Sequence, residues 1–165
     1  MNREPETAPT KAKTSAGLLL FRGRGAELEV LLVHPGGPLF RQKDAGVWSI
    51  PKGEAAPGED LLSRARIEFE EELGIKPYGD FVALGSIRQK GGKTVHAWAV
   101  EGDLPIGFQL RSNSFTMEWP PRSGARQSFP EVDCAEFFRE EEARRKINPA
   151  QAELIDRLAV LLREE

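Results

Sequence analysis

The most informative part of this 165-residue chain is GEAAPGEDLLSRARIEFEEELGI, residues 53–75. The spacing of its apolar residues predicts a helix over residues 59–73, and Gly74 is a typical residue at the C-terminal end of a helix. One stripe of this helix is apolar and suits packing against a core, because it contains Leu62, Ala65, Phe69 and Leu73.

A second stripe of the same helix is acidic and contains Glu68, Glu71 and Glu72. Because spacings of three and four residues bring helical side chains together, these carboxylates repel one another by about 0.2 to 0.5 kcal/mol per pair. A cation between them removes that cost, and ligands that are all oxygen suit Mg²⁺ or Mn²⁺ rather than zinc. Taken by itself, the stripe is more simply explained as a solvated acidic face.

The segment immediately upstream favours the cation. It reads Pro51-Lys52-Gly53-Glu54 and continues through a loop into the helix. A glycine there brings a backbone carbonyl close to a metal held by the helix glutamates. Lys52 adds a positive charge where a phosphate would lie, and the amides at the start of the helix also receive anions.

These residues resemble the Nudix box, G-x5-E-x7-R-E-U-x-E-E-x-G-U, in which U is a bulky apolar residue. The positions that match are Gly53, Glu59, Glu68, Phe69, Glu71, Glu72, Gly74 and Ile75. The one departure is Ile67, which stands where the box has arginine. The strand pattern on both sides extends the resemblance over residues 14–140. The fold that it implies is α+β, with a mixed β-sheet sandwiched between helices in a single domain.

The resemblance also implies an activity, the hydrolysis of a nucleoside diphosphate linked to another group, with Mg²⁺ or Mn²⁺ as cofactor. Carried over by position, the Gly53 carbonyl and the carboxylates of Glu68, Glu71 and Glu72 would bind the metal. Glu68 or Glu71 would serve as the base, since the family does not assign that role uniformly. Glu59 would orient the loop.

A further glutamate often comes from the loop before the last strand of this family. Glu131 is the best placed candidate for that catalytic role. The alternative, an exposed acid in a loop, explains the residue equally well.

The isoleucine at position 67 removes a positive charge that the family pairs with the box carboxylates. Arg64 lies four residues before Glu68 on the same side of the predicted helix, so we expect it to supply part of the missing charge. Arg66 points to another side.

The remaining segments predict one domain over residues 14–165, preceded by a disordered lead-in over residues 1–13. Strands are predicted at 15–21, 28–34, 48–50, 81–89, 94–100, 115–119 and 132–138, and a second helix at 148–162. Residues 102–129 otherwise read as irregular because prolines interrupt them. Strand pairs alternating with helices fit a mixed sheet with helices packed on it.

The substrate is less well defined than the reaction. The stretch of residues 48–53 resembles Nudix proteins that split diadenosine tetraphosphate asymmetrically, and in these a lysine at the position of Lys52 lies near the polyphosphate. Further loop cations predict a basic rim that suits such a chain of phosphates, although each is also explained as a solvated loop end: Arg41, Lys43, Arg88, Lys90 and Lys93. A tyrosine that some of these enzymes carry after the box is absent, since residues 91–93 read Gly-Gly-Lys.

Several alternatives remain open at this point. A nucleoside triphosphate or a diphosphoinositol compound is another substrate for the same box. A Nudix module that binds nucleotides without hydrolysis is favoured by Ile67. A pyrophosphohydrolase acting on RNA 5′ ends would need a basic groove, which the formal charge of −3 disfavours.

Composition excludes other classes of protein. With 30% charged residues and only short apolar runs, the sequence does not predict a membrane protein, and the acidic balance predicts no DNA partner. The single cysteine, Cys134, rules out an intrachain disulfide, and we expect a buried, inert thiol. A polar start without an apolar signal core predicts a cytoplasmic protein.

Overall fold

The computed structural model describes residues 13–165. Its elements in chain order are β1 (Thr14–Arg22), β2 (Glu29–Pro35), β3 (Lys52–Glu54), α1 (Leu61–Leu73), β4 (Val82–Arg88), β5 (Thr94–Glu101), β6 (Ser114–Glu118), β7 (Arg126–Pro130), β8 (Val132–Arg139), α2 (Glu140–Lys146) and α3 (Ala152–Arg163).

The main sheet has the strand order β4-β5-β1-β2-β8, and the short strand β3 also pairs with β1. β1 and β5 run parallel, whereas every other pairing in this sheet is antiparallel. The sheet is therefore mixed, as the sequence predicted. β6 and β7 form a separate antiparallel hairpin.

Apolar residues cover both faces of the sheet. On one face, the three buried positions of α1, namely Ala65, Phe69 and Leu73, pack with alternate residues of β1 and β2. On the other face, α2 and α3 contribute Ala143, Leu154, Ile155 and Leu158 to a second cluster. Because β1 is central and covered on both faces, it is buried almost without interruption. The predicted α+β sandwich in a single domain is confirmed.

The structure corrects four details of the predicted elements. α1 begins at Leu61 rather than at residue 59, because Asp60 caps it by accepting a hydrogen bond from the Ser63 amide at 3.0 Å. Residues 48–50 form only isolated bridges, and the strand beside them starts at Lys52. The segment 102–129 contains most of a hairpin rather than one strand. α2 was not predicted, although its three initial glutamates and its final basic residues match a helix dipole.

Most of the predicted disordered lead-in over residues 1–13 lies outside the described residues, so it stays a prediction. Among the residues that the structure does describe, no helix is long and apolar enough to span a membrane.

Candidate functional site

β3 and α1 meet at Gly53 and Glu68. Gly53 pairs with Ala16 of β1, which fixes the position of its backbone. A Cβ atom on residue 53 would overlap the carboxyl group of Glu68. A side chain on residue 53 would require the Glu68 carboxylate to move, so glycine permits this close approach of β3 to the acidic stripe of α1.

The carboxylates on this stripe are partly removed from water. Burial and, to a smaller extent, the neighbouring charge of Glu68 together raise the pKa of Glu72 to about 8, against the opposing effect of Lys52. Burial and the charge of Glu71 also raise the pKa of Glu68. Among the described residues, the Glu72 Oε2 atom is the one buried side-chain oxygen or nitrogen without a hydrogen-bond partner. A buried carboxylate oxygen without a partner is unfavourable, so the position of Glu72 Oε2 suits a hydrogen-bond donor or a cation.

Glu131 lies close enough to this stripe to raise the pKa of both Glu68 and Glu72. Its backbone is held by Asn113, whose carbonyl accepts from the Glu131 amide at 2.8 Å, while the Asn113 amide donates to the Glu71 carbonyl at 3.0 Å. The junction between β7 and β8 is thereby tied to the end of α1. We call Glu68, Glu71, Glu72 and Glu131 the acidic cluster.

Arg64 neutralises part of this charge. Its guanidinium donates to Glu59 through Nε and Nη2, at 2.9 and 2.6 Å, and to Glu68 Oε1 at 3.2 Å. The paired guanidinium lowers the pKa of Glu59, which also accepts from the Ala56 amide at 3.0 Å. The expectation that Arg64 replaces the charge missing at Ile67 is confirmed in its geometry. Arg66 instead lies over the Phe81 ring, 5.1 Å from its centroid.

The acidic cluster has the chemistry of a site for a hard divalent cation. Within residues 13–165, no three acidic, histidine or cysteine side chains converge closely enough to form a finished set of ligands. The orphaned Glu72 oxygen, the all-oxygen donor set and the close approach of the Glu68 carboxylate to the Gly53 backbone nevertheless fit Mg²⁺ or Mn²⁺.

Lys52 is half-buried beside this cluster. Burial lowers the pKa of its ammonium, the nearby Lys93 lowers it further, and Glu72 and Glu68 oppose that shift. Lys93, another cation predicted for the substrate, is therefore near enough for its charge to act on Lys52. Lys90 is exposed in the same turn between β4 and β5, and Arg88 is exposed at the end of β4.

Arg41 and Lys43 line a different depression, together with His34, Trp48 and Asp133. The loop that carries them is anchored there, because the two ring nitrogens of His34 lie 2.7 Å from Asp133 Oδ1 and 2.6 Å from the Lys43 carbonyl. The place of Arg41 and Lys43 in substrate binding stays a prediction.

The expectation of a buried thiol was wrong, since Cys134 is exposed in β8. Loss of hydration around the sulfur and the charges of Glu136 and Asp133 raise the pKa of its thiol. Sequence reasoning also missed Asn113 and Gln151. Both form hydrogen bonds to residues that are distant in sequence, and no local spacing pattern predicts such bonds.

The fold and this site define a domain in which one glutamate-bearing helix lies against a glycine-containing strand of a mixed sheet. The family model of the NUDIX domain matches residues 11–158. The chain belongs to the NUDIX domain family. Nudix hydrolase 7 of Arabidopsis thaliana is 35% identical over 91 residues, which is 54% of this chain and 30% of that protein. The chain thus matches less than a third of that relative's length.

Solved structures show the same fold at lower identity. A binary complex of the C. elegans Ap4A hydrolase superposes with a TM-score of 0.64 at 22% identity, over 92% of this chain and 99% of the other. The NUDIX domain of Shewanella oneidensis NrtR, complexed with ADP ribose, superposes with a TM-score of 0.62 at 16% identity, over 98% of this chain and 94% of the other.

Proposed function

We propose that the chain is a pyrophosphohydrolase that depends on a divalent metal and acts on a nucleoside diphosphate linked to another group. The observation that carries this proposal is the contact of Gly53 with Glu68 beside the unpartnered Glu72 Oε2 atom. Burying carboxylates is costly, so an acidic surface without a ligand would leave them in water and would not pack them against a glycine.

In this proposal, Glu68, Glu71, Glu72 and the Gly53 carbonyl hold Mg²⁺ or Mn²⁺. A cation bound there supplies neutralisation of the pyrophosphate charge and a lower pKa for an attacking water. Glu68 or Glu71 accepts the proton that the water loses as its oxygen attacks phosphorus and the bridging P–O bond breaks. Glu131, whose charge acts on Glu68 and Glu72, supports the same chemistry, and Glu59 holds Arg64 in place.

Our preferred substrate is a dinucleoside polyphosphate such as diadenosine tetraphosphate, split into ATP and AMP. The half-buried Lys52 and the neighbouring Lys93 support it, because a chain of several phosphates uses both cations at once. A nucleoside triphosphate is the second candidate, since it uses the same groups with a shorter chain. The cytoplasmic location stays a prediction from the sequence.

A hydrolysis panel with Mg²⁺ and with Mn²⁺ tests the proposal. It contains diadenosine tetraphosphate, ATP, ADP-ribose and RNA with a 5′-triphosphate, and Glu71→Gln serves as the inactive control. We expect metal-dependent release of ATP plus AMP from diadenosine tetraphosphate, faster than turnover of the other compounds.

The remaining outcomes decide between the alternatives. Tight binding of a nucleotide without turnover of any compound would identify a binding module instead of an enzyme. Preference for the RNA would replace the proposed substrate. Full activity of Glu71→Gln would contradict the assignment of the metal ligands.

A further inference from the structure

Gln151 is a fully buried polar residue with every bonding group of its amide in use. It ends the 3₁₀ turn Pro149–Gln151 that leads into α3. Its side-chain oxygen accepts from the Ile50 amide at 3.0 Å, and its side-chain nitrogen donates to Ser49 Oγ at 3.0 Å and to Gln89 Oε1 at 3.1 Å. An apolar side chain of the same volume would fill this place without the need for partners.

These hydrogen bonds join two segments that are far apart in sequence and that each carry a cation of the candidate site. Ser49 and Ile50 lead directly through Pro51 into Lys52. Gln89 closes the turn between β4 and β5, where its amide donates to the Lys93 carbonyl at 2.8 Å. Gln151 is therefore bonded to the first segment two residues before Lys52, and to the second through Gln89, whose backbone amide bonds to Lys93.

The first of these segments is also confined from the β1 side. A Cβ atom on Gly17 would lie 2.6 Å from the Pro51 carbonyl oxygen and 2.8 Å from the Lys52 Cβ atom, so β1 approaches Lys52 through a glycine. Two like charges held near each other repel, and a free turn would move Lys93 away from Lys52. The hydrogen bonds of Gln151 oppose that movement.

We propose that Gln151 is a positioning residue that holds Lys52 and Lys93 at a fixed separation, so that together they receive one chain of phosphates. This inference rests on the proposed function for its substrate, but the binding of phosphate chains tests it without turnover. Gln151 does not contact the substrate, and its effect passes through Gln89 on one side and through Ser49 and Ile50 on the other.

The test replaces Gln151 by leucine and measures binding of inorganic tripolyphosphate by calorimetry. We expect the dissociation constant to rise about tenfold, the loss of one charge-assisted contact. With diadenosine tetraphosphate, KM should rise by the same factor while kcat changes less than about twofold, because the acidic cluster is unaltered. Gln127→Leu is the matched control, since Gln127 is exposed on β7 and its side chain donates to the Trp119 carbonyl at 2.9 Å, away from the candidate site.

A double-mutant cycle separates positioning from a merely structural role. In a Lys93→Ala background, Gln151→Leu should weaken tripolyphosphate binding much less than in the wild type, because the cation that Gln151 positions is gone. The inference would be overturned if Gln151→Leu raised the dissociation constant for tripolyphosphate by the same factor in both backgrounds, or if it left that constant unchanged in the wild type.

Gln89→Leu keeps the test decisive if Gln151→Leu does not fold. It removes only the hydrogen bond to the turn and keeps those to Ser49 and Ile50, and it should reproduce the coupling to Lys93→Ala. If the effects of Gln89→Leu and Lys93→Ala on the free energy of tripolyphosphate binding are additive, the inference is also overturned. If the wild type binds tripolyphosphate through coupled Gln151 and Lys93 but hydrolyses nothing, the proposed enzyme fails while the positioning role stands.

Discussion

Gly53 lies so close to the carboxyl group of Glu68 that even a methyl group on residue 53 would overlap it. The contact joins the shortest strand of the main sheet to the helix that carries the acidic cluster. Because Gly53 is itself paired with Ala16 of β1, its backbone has little freedom to move aside. The geometry of the cluster therefore depends on the absence of a side chain at one position.

Gly53→Ala should displace the Glu68 carboxylate and lower kcat/KM by about 100-fold, the cost expected when a catalytic group moves by about 1 Å. Steady-state kinetics with diadenosine tetraphosphate measures the effect. Glu54→Ala is the matched control, because Glu54 is the next residue of β3 and is exposed. Activity of Gly53→Ala close to that of the control would show that the contact does not organise the site.

Arg64→Met should lower kcat/KM by about 10- to 100-fold. Hydrogen bonds to charged groups contribute about 1.5 to 3 kcal/mol, and here they orient both Glu59 and Glu68. Arg66→Met removes the same charge from the neighbouring turn of α1 and should leave the rate unchanged. Equal losses in the two variants would point to net charge and not to the hydrogen bonds of Arg64.

Ile67→Arg should keep or raise the activity of the wild type. The side chain of Ile67 is 41% exposed, so a longer side chain fits without disturbing the core. In the double variant Arg64→Met with Ile67→Arg, the new guanidinium should restore part of the lost activity. A large loss in the single variant Ile67→Arg, measured at equal thermal stability, would contradict this expectation.

The raised pKa of Glu72 predicts how stability depends on pH without metal. With its pKa raised to about 8, Glu72 keeps its proton in the folded protein at pH values where the unfolded chain, with the ordinary pKa of 4.5, has lost it. The stabilisation from Glu72 is complete below the pKa of the unfolded state and disappears as the pH rises through the pKa of the folded state. The free energy of unfolding should therefore fall between these two pH values.

Urea unfolding in EDTA, repeated with saturating Mg²⁺, measures this slope. Bound Mg²⁺ favours the ionised carboxylate, so stabilisation by the metal should increase toward pH 8. Without metal, Glu72→Gln should remove the fall in stability with rising pH that bound Mg²⁺ offsets in the wild type. The assignment would be contradicted by a metal effect that does not vary with pH, or by one that Glu72→Gln leaves intact.

The sequence by itself determined the helix, the stripe of glutamates and the strand pairs, because each follows from local spacing, and the sandwich was implied by the resemblance to the Nudix box. Periodicity places Glu68 and Glu72 on one side of a helix whatever surrounds it, and Arg64 lies one turn from Glu68 for the same reason. The resemblance to the Nudix box followed from the same residues.

Only the tertiary structure decided which distant groups meet that helix. Glu131 joins the acidic cluster because Asn113 ties it to Glu71, and the burial that raises the pKa of Glu72 comes from the packing of β3 against α1. Gln151 bonds to two segments more than 60 residues away, at separations of 102 and 62 positions. Such contacts depend on how the strands are ordered, which no local pattern encodes.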